Sequence, residues 1–205
     1  MDEFAVFFTF YGLILGLAAA EILNSLGGLA RKGALRAIRL QTALLAFLIF
    51  LLICATWIDA WGHRETFKLD LRSLWAPIGV ATAYYLAAVV VLPREVSEWG
   101  DMDAYFAARK RFIIAVLIAA EMLVLVMGLP DLAENFRNEP MIFWLYRAPL
   151  ELAIFAVFAV MFFVKGRHAN IAAIIAQIVV FTIPYWSNRL ITNAIRDAYG
   201  YAPAT

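Results

Sequence analysis

The stretch FIIAVLIAAEMLVLVMGL, residues 112–129, carries a single acid, Glu121, in an otherwise unbroken apolar run. Coiled as a helix rising about 1.5 Å per residue, it covers roughly 27 Å. That nearly matches the ~30 Å hydrocarbon layer of a bilayer. The whole chain agrees with this reading, since 64% of its 205 residues are hydrophobic and only 16% are charged. So little polar surface cannot clothe a water-soluble domain. The expected fold is all-α: one polytopic membrane domain of about six transmembrane helices joined by short loops, with the lipid bilayer as its main surroundings.

Five further runs flank this one, and together the six spans are placed near 4–29, 40–61, 74–92, 112–129, 141–164 and 170–190. Helices satisfy every backbone group within the segment, whereas a barrel would alternate polar and apolar residues along many shorter strands. The acidic start at Met1, Asp2 and Glu3 and the length of the first run argue for a retained span rather than a cleaved signal peptide.

Lysines and arginines fall mainly between the runs. Ten lie in the first, third and fifth loops: Arg31, Lys32, Arg36, Arg39, Arg94, Arg109, Lys110, Arg111, Lys165 and Arg167. The remaining seven belong to the opposite side, so the odd loops are expected in the cytoplasm and both termini outside. The compact layout suggests a bacterial inner membrane.

Within the third loop, Asp101 or Asp103 can cap a helix start, and a cytoplasmic interfacial helix is expected over 94–111, with Arg109, Lys110 and Arg111 facing lipid phosphates. Pro130 and Pro140 bound what reads as a short polar connector. Pro77 is expected in the first turn of the third helix, where proline is tolerated.

A carboxylate at bilayer depth costs about 3 kcal/mol or more unless it finds a proton, a partner or water, which makes Glu121 the leading functional candidate. By depth alone Glu21, Glu121 and Glu151 descend across the membrane, and with Gln177 and Asn188 they form a candidate polar path for protons or cations. Asp59, Arg147 and Arg189 are expected at the outer interface, where Trp57 and Trp61 flank Asp59. Arg147 and Glu151 stand four residues apart, the spacing of a weak intrahelical ion pair. Gly12, Gly16, Ala20 and Gly28 make a small-residue stripe on the first span, which suits close helix packing within the chain or in a homo-oligomer or membrane complex. The segments 19–23 and 119–123 match at an offset of 100 residues, a hint of an inverted repeat that later landmarks do not continue.

Enzyme signatures are missing from the sequence. One cysteine, Cys54, excludes an intrachain disulfide, and the two histidines occupy loops expected on opposite sides, so no cofactor or metal site is expected. A net charge of +1 gives no argument for nucleic acid. The favoured function is a small channel or transporter, proton- or cation-linked through its carboxylates. Two alternatives stand beside it: a non-catalytic accessory subunit, and a lipid-modifying enzyme resting on Asp101, Asp103 and the basic 109–111 cluster.

Overall fold

The computed structural model describes residues 3–62, 64, 71–94, 99 and 101–199, with the side chains of 71–73, 186, 187 and 189 outside that description. Helix accounts for 91% of the structure, and the described residues contain no strand. The order is α1 (Glu3–Arg31), α2 (Leu40–Gly62), α3 (Leu71–Val91), α4 (Met102–Met127), α5 (Leu129–Asn138), α6 (Pro140–Ile142), α7 (Ala148–Phe163) and α8 (Arg167–Tyr199). A 3-10 turn, Leu35–Ala37, precedes α2, and a π turn, Phe143–Arg147, joins α6 to α7.

Among the described residues, five helical segments are long and apolar enough to cross a membrane: α1, α2, Leu74–Val91, Pro140–Phe163 and Arg167–Tyr185. The α4 and α5 pair makes a sixth if it counts as one span, although it bends by 53° at Gly128. Large apolar side chains point away from the bundle all round it, among them Leu13, Leu152, Phe163 and Leu190 at 61–74% exposed. Water would not tolerate such a girdle, and hydrocarbon does. The protein is an integral membrane protein of the helical class.

The core sits where α3 packs against α4 and α1. Gly79 lies at the α3–α4 contact, where an added Cβ would stand 2.9 Å from Leu123 Cδ1 and that side chain would have to shift. Tyr84, Leu48, Ile49, Leu52, Ile113 and Ile114 are fully buried around this contact. Aromatic side chains gather at both ends, as membrane interfaces favour. Phe4 and Phe8 meet Trp61, and Phe136 meets Trp144, at one end; Trp99 meets Tyr105 at the other.

Three local expectations are corrected. No separate helix fills 94–111: Arg94, Trp99 and Asp101 are not helical, and from Met102 onward the residues are the opening turns of α4. Asp101 does cap it, its side chain accepting from the Asp103 N–H at 3.0 Å. The connector between the prolines is the helix α5, because Pro130 occupies its first turn, where the missing N–H costs nothing. Pro77 lies well inside α3, which starts at Leu71. The final helix also continues to Tyr199, through Pro184.

Candidate functional site

Polar side chains turned inward in an apolar bundle must be matched by partners, because lipid offers none. Glu121 is buried at 8% exposure on α4, and the Tyr84 hydroxyl of α3 donates to its Oε1 at 3.5 Å. Thr56 of α2 donates in turn to the Tyr84 oxygen at 3.2 Å. A hydroxyl–hydroxyl–carboxyl chain therefore crosses three helices. Glu151 of α7 lies within electrostatic range of Glu121, and Arg147 within range of Glu151. Two acids sharing one interior region cannot both be charged cheaply.

One contact fixes the level of the helices relative to each other. At the basic end, Lys110 of α4 donates to the Val164 carbonyl at the close of α7 and to Asn170 Oδ1 of α8 at 3.0 Å. From that common level a rise of about 1.5 Å per residue places Gln177 ~10 Å, Glu121 ~16 Å and Glu151 ~20 Å into the bundle. Gln177 is fully buried, and neither its Oε1 nor its Nε2 has a hydrogen-bond partner among the described residues. An unmatched amide of that kind costs about 1–3 kcal/mol if it stays dry.

The remaining sequence candidates divide. Glu21 is half-buried on α1, where no hydrogen bond or ion pair joins it to the Glu121 group. Its surroundings differ from those of Glu121, so the matching pentapeptides do not occupy equivalent environments. Asn188 is exposed on α8, its backbone carbonyl accepting from Thr192 at 2.7 Å. Asp59 is exposed at the end of α2, within electrostatic range of Tyr11 and Tyr185. Arg147 and Glu151, four residues apart at the start of α7, form no ion pair within 4.0 Å. The side chain of Arg189 lies outside the described residues.

The small-residue stripe proves to be discontinuous. Gly12 packs under Trp57 of α2, since an added Cβ would come within 3.3 Å of the indole nitrogen, whereas a Cβ added at Gly16 or Gly28 would enter open space. Gly12 and Gly16, with Ala19, Ile53, Cys54 and Trp57, line an apolar groove of about 400 Å³ between α1 and α2. Ala20 is half-buried and is not part of its wall.

Composition does not reveal the inward turn of Lys110. Expected to face phosphates beside Arg109 and Arg111, it is instead buried at 8% exposure, while Arg109 lies over the Trp99 ring and Arg111 over Phe162. The available signal is helical phase: Lys110 falls in register with Ile114 and Leu117, both fully buried. Asp103 accepts from Gln41 Nε2 at 3.0 Å and approaches Arg39 at 3.9 Å. A helix cap and a partnered acid explain the pair Asp101 and Asp103 structurally. Among the described residues no group of three or more His, Cys, Asp or Glu side chains has the arrangement to hold a metal ion.

Comparison with protein-family models, curated proteins and solved structures found no match to this chain.

Proposed function

We propose that the protein is a small membrane transporter or channel that passes protons or cations by way of Glu121. The observation that carries this reading is a buried carboxyl whose described hydrogen-bond partner is one neutral hydroxyl, Tyr84, at 3.5 Å, with Glu151 in electrostatic range. A carboxyl committed only to packing would gain most from a fixed cation or several donors, and this one has neither. It can exchange a proton with little rearrangement. Gln177 and Glu151 extend the polar series toward either end, while Asn188 and Glu21 contribute less directly. By the excess of Lys and Arg, the end holding Lys110 faces the cytoplasm of a bacterial inner membrane and both termini face outward.

Reconstitution into liposomes with pH- and ion-sensitive dyes tests this. Wild-type protein is expected to dissipate an imposed proton or cation gradient faster than Glu121→Gln, which keeps the shape but cannot ionise. Wild-type leakage equal to that of empty vesicles would remove the reading.

A second reading, an accessory subunit of a membrane complex or homo-oligomer, is favoured by the open groove beside Gly12 and Gly16. Gentle detergent extraction and mass analysis separate the two, a lone monomer speaking against the subunit role.

A further inference from the structure

Lys110 is the one buried cation among the described residues, and its ammonium is met by neutral oxygens, those of Val164 and Asn170. No described carboxylate pairs with it. A desolvated cation held only by dipoles retains most of its pull on an anion. It opens onto a cleft of about 620 Å³ at the basic end of the bundle.

The walls of that cleft add three more cations, Arg111, Lys165 and Arg167, against a single acid, Asp103, which Gln41 and Arg39 already engage. The 33-residue α8 starts at Arg167, so its free first-turn N–H groups and positive dipole end lie at the same mouth. Gly166 makes this possible: its φ of +94° turns the chain sharply from α7 into α8, a conformation that side chains rarely adopt. The lining also has an apolar part, Phe162, which Arg111 overlies, and Phe163, which is 71% exposed. Four cations and a helix start thus adjoin an aromatic face that looks outward to hydrocarbon.

That juxtaposition is complementary to an amphiphilic anion. We propose that the cleft binds the phosphate group of an anionic phospholipid, its oxygens received by Lys110, Lys165, Arg167 and the start of α8, and its acyl chain laid along Phe162 and Phe163. The site is separate from the Glu121 group, ~16 Å away along α4.

Native mass spectrometry of the full chain tests it, with phosphatidylglycerol and phosphatidylcholine of identical acyl chains as probes. One phosphatidylglycerol is expected to be retained in preference to phosphatidylcholine. Lys165→Gln with Arg167→Gln, both at exposed positions away from the core, is expected to weaken that retention about thirtyfold, as two interfacial cations near a headgroup imply. Lys110→Met is expected to weaken it as well, in protein whose circular dichroism shows the helices intact. Equal retention of the two lipids, or undiminished phosphatidylglycerol binding by the double variant, would overturn the proposal. Displacement of the lipid by millimolar inorganic phosphate would support an oxyanion site and overturn the lipid as its occupant. Glu121→Gln is expected to keep the lipid, and wild-type protein that retains the lipid but carries no ion flux would remove the transport reading and leave this one standing.

Discussion

Tyr84 and Glu121 meet across the α3–α4 interface, hydroxyl to carboxyl at 3.5 Å, and Thr56 tethers the same hydroxyl from α2. The tyrosine is fully buried, so its oxygen has no alternative in lipid. Tyr84→Phe is expected to lower stability by about 1 kcal/mol, the usual net worth of such a bond, and to slow ion flux without abolishing it. Unfolding in detergent and liposome dye assays on one preparation check both halves.

Gln177 is expected to show a trade between stability and activity. Methionine has a similar shape without the amide, so Gln177→Met removes a desolvation burden of about 1–3 kcal/mol. A raised unfolding midpoint together with slower flux is the expected pair of results.

Arg196 Nε reaches Glu139 Oε1 at 2.6 Å and its second guanidinium nitrogen reaches Oε2 at 3.0 Å, tying the far part of α8 to the junction of α5 and α6. Those hydrogen bonds hold the Glu139 carboxyl below the usual glutamate range. A carboxyl lowered in the folded state adds stability that is complete above its unfolded value, about 4.3, and is lost as pH falls through the folded value. Hydrogen exchange over 129–138 is expected to accelerate on acidification in wild type. In Glu139→Gln it is expected to be faster at neutral pH and less dependent on acid.

The groove on α1 offers a positional contrast. Gly12→Leu must displace Trp57 and is expected to cost about 1–3 kcal/mol, whereas Gly16→Leu enters open space and is expected to leave the monomer as stable as before. If the groove seats another subunit, Gly16→Leu will still abolish the association. Cys54, exposed on the same groove and the chain's only cysteine, allows direct cross-linking to score it.

Much of the architecture is legible in hydropathy alone, because a bilayer demands long apolar runs and penalises irregular backbone. Glu121 stands out for the same reason, and a cap before the helical run reads as Asp101 or Asp103, of which the structure uses Asp101. Rotation of each helix about its axis is harder to see. In water an apolar stripe marks the inner face, but here lipid is as apolar as the core, so α2 and α7 look alike on all sides. Pairings such as Lys110 with Asn170, 60 residues apart, depend on that hidden phase. Proline carried two meanings: Pro130 reads as a loop boundary, yet the same locked φ initiates α5.

The length of α8 has its own result. The helix continues about 20 Å beyond Tyr185 to Tyr199, and Glu139 braces that part at Arg196. Such a stiff outrigger would carry a fused reporter at a nearly constant attitude to the bundle, so the tilt of the whole assembly in a bilayer becomes measurable from a single label outside it.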